Sequence, residues 1–168
     1  MLRNEYASLL LRLGQLEKAE KVIQQSLSIN PNNAASNQQQ PIKASDHHLM
    51  IQDVRNLMLM AKLQEKNGQQ SSASSLVKAQ ELVTILLRKL PDDQPDVVSE
   101  HKTIAASIST KLASIAILQH DPELAIRCYR EALAHLPDNI NAMAQLAKVY
   151  LQTDDFEHCQ HIWYYRIL

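Results

Sequence analysis

The sequence is poor in glycine, with only two in 168 residues, and its formal net charge is only −1. A sheet-rich fold needs many tight turns, and two glycines are too few to supply them. A net charge this close to zero gives no general electrostatic attraction to nucleic acid or to anionic lipid. The composition therefore favours a helical fold and argues against a nucleic-acid partner.

Long apolar runs are also absent from the sequence. No segment approaches the roughly 20 apolar residues that span a bilayer, so we expect no direct membrane insertion. The first residues, MLRNEYASLLLRLGQLEKAEK, do not form a convincing signal peptide, because Arg12 interrupts the apolar run. Cys128 and Cys159 both fall on apolar helix faces, which suits buried thiols in a reducing compartment better than a disulfide. We therefore expect a soluble protein of the cell interior.

One stretch, Asp121 to Asn139, carries the signals of a complete helix. Asp121 stands where an N-cap belongs, and Pro122 occupies the first helical position. Pro137 ends the helix, because a proline cannot continue the backbone hydrogen bonds. Apolar residues recur between these ends at helical spacing: Leu124, Ala125, Cys128, Tyr129, Ala132, Leu133 and Leu136.

The spacing within this helix recurs along the chain. A small residue lies twelve positions before a proline three times, at Ala19, Ala79 and Ala125. A further copy places Cys159 at 34 residues after Ala125. This pattern resembles the tetratricopeptide repeat, a helix pair with a period of about 34 residues. The resemblance implies an all-α fold, a right-handed α-solenoid of tetratricopeptide helix pairs with about four repeats, the last incomplete.

The two glycines support this register. Gly14 and Gly68 both fall between the first and second helix of a repeat, where a left-handed residue lets the chain turn back. In the first helix of repeat one, Tyr6, Ala7 and Leu10 are expected to face inward.

The repeats are interrupted at three places. Ala34 to Asp46 is rich in Asn, Gln and Ser, so we expect a flexible loop there. A serine-rich run, Ser71 to Ser75, is predicted to be an insertion between two helices, and one long helix is expected from Pro95 to about Gln119. The fourth repeat stops before its proline position, which indicates a fragment. The predicted bounds are residues 1–33 for repeat one, 34–49 for a polar loop, 50–93 for repeat two, 94–139 for repeat three and 140–168 for incomplete repeat four.

The repeat pattern predicts two sets of interaction positions. The packing set contains residues where neighbouring helices approach: Ala19, Ala79, Leu112, Ala113, Ala125, Tyr129, Ala132, Leu146, Ala147, Tyr150 and Cys159. The candidate groove set lies on the first helices of repeats three and four: Thr110, Ser114, Asn141, Gln145 and Lys148. Chaperone-binding members of the repeat family clamp a peptide carboxylate with Lys and Asn. The matching positions here, Thr110, Ser114 and Gln145, supply neither, so a chaperone clamp is disfavoured and another peptide remains open.

No catalytic or metal-binding pattern stands out. His158 and His161 share a helix face, but Cys159 lies about 100° away around the helix and fills a small-residue packing position. The sequence contains no glycine-rich phosphate loop, no G-x-S-x-G and no convincing pair of carboxylates. We therefore expect no enzyme activity, no cofactor and no metal site.

Three stretches carry a more specific resemblance: IQDVRNLMLMAKL, the long helix before ASISTKLASIAI, and AQLAKVYLQTDDFEHCQ. They resemble the family of large tetratricopeptide-repeat subunits of intraflagellar transport complex A, over Asp46 to Gln160. The resemblance implies a non-catalytic scaffold for retrograde ciliary transport, with other complex A subunits as partners, in the cytoplasm and the cilium. Two alternatives stay open: a peptide-binding adaptor unrelated to cilia, and the regulatory repeat region of an enzyme whose catalytic part is absent.

Self-association is a further expectation. Apolar residues cluster in the incomplete last repeat, including Trp163, Tyr164 and Leu168. A large uncovered apolar patch favours association between copies. We therefore expect the chain to self-associate through this repeat.

Overall fold

The computed structural model describes residues 2–27, 44–68, 71–90 and 95–164. Within these ranges the chain forms helices and no strand, which confirms the predicted all-α class. None of these helices is both long enough and apolar enough to cross a membrane. The eight helices of the described ranges are α1 (Leu2–Arg12), α2 (Leu16–Ser26), α3 (Ala44–Lys66), α4 (Ser72–Lys89), α5 (Pro95–Leu118), α6 (Pro122–His135), α7 (Ile140–Gln152) and α8 (Phe156–Tyr164).

The chain divides into two compact units, Met1–His101 and Lys102–Leu168, and the division falls within α5. In the first unit α1 pairs with α2, α3 pairs with α4, and α3 also contacts α1 and α2. In the second unit α7 packs against both α6 and α8. Within each unit, most of these contacts join helices that follow one another in the chain, as repeat architecture requires.

The core of the first unit lies where α1, α2 and α3 meet. Its buried side chains come from all three helices: Ala7, Leu10, Leu11, Ala19, Ile23, Met60 and Leu63. Two side chains of α3 also reach the last turns of the other helices. Lys66 Nζ donates to the Leu11 carbonyl at 3.0 Å, and Asn56 Nδ2 donates to the Ser26 carbonyl at 3.1 Å. These bonds help to satisfy carbonyls that a helix end leaves without a partner.

The start of α3 corrects one prediction. The sequence predicts a polar loop at residues 34–49 and a helix beginning near Met50, but α3 begins at Ala44. Residues 34–43 lie outside the described ranges. His47, in the first turns of α3, lies against the buried His101 ring, with ring centroids 5.0 Å apart. This tertiary contact favours the helix in a segment whose polar composition alone indicates a loop.

The serine-rich run is also not an insertion between helices. α4 begins at Ser72, and both Ser72 and Ser75 are buried. Ser75 Oγ donates to Gln64 Oε1 at 2.8 Å, which ties the first turn of α4 to α3. The backbone N–H groups of Ser74 and Ser75 donate to the Ser71 carbonyl. Serine is well tolerated at a helix start, and burial against α3 decides the conformation.

The long helix predicted from Pro95 to about Gln119 is confirmed, because α5 runs from Pro95 to Leu118. Its first residue is a proline, which fits the first helical position. No other proline or glycine interrupts it. The extension ahead of the usual repeat register is therefore continuous helix.

The turns between paired helices share one backbone conformation. Gly14 has φ +74° and Gly68 has φ +67°, which confirms the predicted left-handed residue at both positions. His120 at φ +59° and Asp154 at φ +58° hold the same conformation without being glycine. In three of these turns, the N–H after the left-handed residue donates at 2.9 Å to the carbonyl five positions earlier: Gln15 to Leu10, Asp121 to Ala116 and Asp155 to Tyr150.

Candidate interaction surface

Two side-chain caps fix the register of the second unit. Asp121 Oδ1 accepts from the Leu124 N–H at 2.9 Å, and Pro122 follows at the first helical position, as predicted. Asn139 Oδ1 accepts from the Ala142 N–H at 3.1 Å. Each cap satisfies an N–H that has no partner within its own helix. Because the first residue of each helix is fixed, helical spacing decides which residues share each face of α6 and α7.

The inward faces carry the small and aromatic residues of the repeat pattern. Ala125, Ala132 and Tyr129 are at most 1% exposed. Cys159 Sγ donates to the Ala147 carbonyl at 3.7 Å, which joins α8 to α7. The full packing set is buried, eleven residues in all: Ala19, Ala79, Leu112, Ala113, Ala125, Tyr129, Ala132, Leu146, Ala147, Tyr150 and Cys159.

The cysteines lie in this packing layer as thiols. Cys128 and Cys159 are both buried and unbridged. Burial raises the pKa of the Cys128 thiol, and the nearby Glu131 carboxylate raises it further. Because the thiolate is the nucleophilic form, a raised pKa makes Cys128 a packing residue of low reactivity.

The side chain of His158, in the first turn of α8, contacts one residue of α7 and one residue of the turn before α8. Its Nδ1 lies 2.9 Å from Asp155 Oδ1, and its ring stacks on Tyr150 with centroids 5.4 Å apart. The hydrogen bond from His158 lowers the pKa of the Asp155 carboxyl. Arg130 lies over the Tyr150 ring, with its guanidinium carbon 5.8 Å from the centroid. The side chain of His161 is outside the described residues, and the contacts of the His158 side chain are with Asp155 and Tyr150.

The candidate groove residues on α5 are engaged with their own helix. Thr110 Oγ1 donates to the Ala106 carbonyl at 2.7 Å, and Ser114 Oγ donates to the Thr110 carbonyl at 3.1 Å. Such back-bonding uses the hydroxyl proton within the helix. These two side chains therefore retain only acceptor capacity toward a partner.

The candidate groove residues on α7 differ from those on α5 in their exposure and in their side-chain hydrogen bonds. Asn141 and Lys148 are exposed and Gln145 is half-buried, and all three lie within a few turns on one helix. Within the described ranges, none of the three side chains makes a hydrogen bond or an ion pair. Among the candidate groove residues, those on α7 therefore offer a partner more free polar groups than those on α5.

Apolar residues flank this polar set, and sequence periodicity does not predict their exposure. Ile140 is 64% exposed and Leu151 is 51% exposed, both on α7. The helical pattern predicts that large aliphatic residues face the core, and only the packed structure reveals these exceptions. Together with Asn141, Gln145 and Lys148 they form what we term the α7 face.

Two segments of the second unit contain no acidic residue. Over residues 102–118 and in α7, the charged residues are Lys102, Lys111 and Lys148, with no acidic residue. The acidic residues of the described part of this unit lie on α6, on α8 and in the turns: Asp121, Glu123, Glu131, Asp138, Asp154, Asp155 and Glu157. The α7 face therefore favours a partner segment with negative charge and apolar anchors.

Comparison with known proteins gives a consistent family. A family profile described as "Tetratricopeptide repeat protein 21 forth ARM domain" matches residues 1–133, and one described as "Tetratricopeptide repeat" matches residues 116–162. Tetratricopeptide repeat protein 21B is 36% identical over 160 residues in Mus musculus and 35% identical over 156 residues in Homo sapiens. Tetratricopeptide repeat protein 21A of Homo sapiens is 28% identical over 156 residues. These alignments cover 92%, 92% and 93% of this chain, which spans only 11% of the length of each relative.

Proposed function

The chain belongs to the tetratricopeptide repeat protein 21 family, and we propose that it serves as a non-catalytic protein–protein scaffold within intraflagellar transport complex A. The observation that carries the proposal is its alignment to the 21B relatives over 92% of its length. Stacked helix pairs expose broad surfaces and carry no intrinsic chemistry, which suits a scaffold. The ciliary assignment follows the sequence resemblance to complex A subunits. Its partners are then other complex A subunits, in the cytoplasm and the cilium.

We assign partner binding in the second unit to the α7 face. Exposed Ile140 and Leu151 supply apolar contact area. Lys148 lies between them along the axis of α7. It supplies a positive charge that has no ion-pair partner among the described residues. A hydrophobic contact surrounded by complementary polar groups is the usual composition of a protein interface. Thr110 and Ser114 are secondary contacts in this proposal, because their hydroxyl protons are already used within α5.

The test is affinity purification of the tagged chain from ciliated cells, followed by mass spectrometry of the recovered proteins. We expect complex A subunits to be enriched over an untagged control. Lys148→Glu should reduce their recovery roughly three- to tenfold, because it reverses the charge of the contact. The matched control is Arg127→Glu, which reverses an exposed charge on α6.

The two parts of the proposal fail separately. Absence of complex A subunits from the unchanged chain and from its full-length parent refutes the ciliary assignment. Equal losses with Lys148→Glu and Arg127→Glu refute the α7 face while leaving the scaffold role intact.

A further inference from the structure

The outward side of α1 carries an apolar stripe. Tyr6 is 52% exposed, Leu9 is 50% exposed and Leu13, just after the helix, is 63% exposed. The prediction that Tyr6 faces inward is therefore wrong. At helical spacing these three residues fall within a sector of roughly 60°, while Ala7 and Leu11 point to the core. Three large apolar side chains, each at least half exposed, form a contiguous surface without a partner in the described part of the chain.

Two charges border this stripe on the same side. Glu5 and Arg12 are seven residues apart, which is two helical turns, so they lie on one edge of the stripe. Both are exposed, and neither forms an ion pair within the described residues. One edge thus carries a negative charge near the start of α1 and a positive charge near its end.

This arrangement is self-complementary. We propose that α1 pairs with α1 of a second copy of this chain in an antiparallel, two-fold arrangement. In that register Tyr6 packs beside Leu9 of the second copy, and Glu5 meets Arg12 of the second copy. The two-fold axis repeats both contacts, so one alignment buries the apolar stripe and pairs all four charges.

The charge order selects a second copy in this orientation. In a parallel two-fold pair the edges that carry Glu5 and Arg12 lie on opposite sides of the interface, so neither charge meets its complement there. The contact is small, since it involves about three helical turns from each copy, so the dimer should be weak and concentration-dependent. It is independent of the complex A assignment, because it involves only this chain.

The test is sedimentation velocity of the full chain over a concentration range from about 5 to 500 µM, which spans weak dimer affinities. The unchanged chain should shift from monomer toward larger species as its concentration rises. Glu5→Arg and Arg12→Glu should each weaken association roughly tenfold, because attraction becomes repulsion at both ends of the contact. A mixture of these two variants should recover association, because their opposite charges again face each other. Leu9→Glu should abolish this contact.

Two controls keep the test specific. Glu17→Arg makes the same charge reversal in the first turn of α2, away from the stripe, and should leave association unchanged. Circular dichroism of each variant must match that of the unchanged chain. A chain that stays monomeric at the highest concentration, or a mixture of variants that fails to recover association, overturns the proposal. Association that survives Leu9→Glu but is lost with polar residues at Trp163, Tyr164 and Leu168 overturns it as well.

Discussion

At the scale of single residues, the same left-handed turn is built from different amino acids. Gly14 and Gly68 adopt positive φ without cost, whereas His120 and Asp154 adopt it against the preference of an L side chain. The sequence predicts the two glycine turns because glycine marks such a position. It does not predict the turns at His120 and Asp154, because neither residue type marks a left-handed position as glycine does.

His120→Gly should stabilise the second unit by about 0.5–1 kcal/mol, because it removes the left-handed strain at a small cost in chain entropy. The converse change, Gly14→Ala, should cost about 1 kcal/mol. A Cβ added at Gly14 would meet no atom within 4 Å, so backbone strain alone acts there. Urea unfolding of both variants measures the effects. Opposite signs are expected, and equal signs contradict the shared-turn interpretation.

The packing register makes a second prediction at this scale. Ala125 is fully buried, so Ala125→Leu should overpack the α6 contact and cost about 1–3 kcal/mol. Ala134 lies on the same helix and is exposed, so Ala134→Leu is a matched control with little expected effect. Thermal unfolding followed by circular dichroism compares the two. Similar destabilisation at both positions would show that the register is wrong.

At the scale of helices, the sequence predicts those whose ends carry local signals. α5 and α6 begin at Pro95 and Pro122, and the Asp121 cap is readable from the sequence. The starts of α3 and α4 are not predictable in this way, because contacts between distant residues decide them and a polar composition conceals them. The α7 face shows the same division between what the sequence predicts and what the packing decides. Its polar positions follow from periodicity, whereas the exposure of Ile140 and Leu151 depends on packing.

The first turns of α3 should be sensitive to acid. Burial lowers the pKa of His47 from its ordinary value of 6.5, and His101 lowers it further. His48 acts in the same direction, while Glu100, which is paired with Arg55 at 2.9 Å, opposes the shift. A group whose folded-state pKa is lowered binds more protons in the unfolded state as the pH falls. Its contribution to stability is therefore present above pH 6.5 and is lost as the pH falls through the lower folded-state value.

Urea unfolding between pH 7.5 and 5, a range of about 2.5 units that brackets the ordinary histidine pKa, measures this loss. His47→Gln should reduce the pH dependence, because glutamine does not titrate in this range. His48→Gln should change it less, because His48 is exposed and is a smaller cause of the lowered His47 pKa than burial and His101. An unchanged pH dependence in the His47 variant contradicts the assignment.

At the scale of the whole molecule, helices of both compact units carry exposed apolar side chains. Tyr6 and Leu9 lie outward on α1, and Ile140 and Leu151 lie outward on α7. Exposed apolar surface of this kind marks interaction sites when it is contiguous. The chain also spans only 11% of the length of its 21B relatives. These outward side chains, two on each helix, are therefore candidates for contact with other proteins.

The two self-association surfaces predict a specific size distribution. A two-fold contact through α1 closes at a dimer, because each copy uses its single stripe. A second self-associating surface in the last repeat, as the sequence predicts, allows each dimer to add further copies, so larger species should form. Polar residues at Trp163, Tyr164 and Leu168 should then limit the assembly to dimers. Adding Leu9→Glu to that variant should give monomers. Light scattering coupled to size-exclusion chromatography distinguishes the three states. Large species that persist in the Trp163, Tyr164 and Leu168 variant would exclude the last repeat as the second surface.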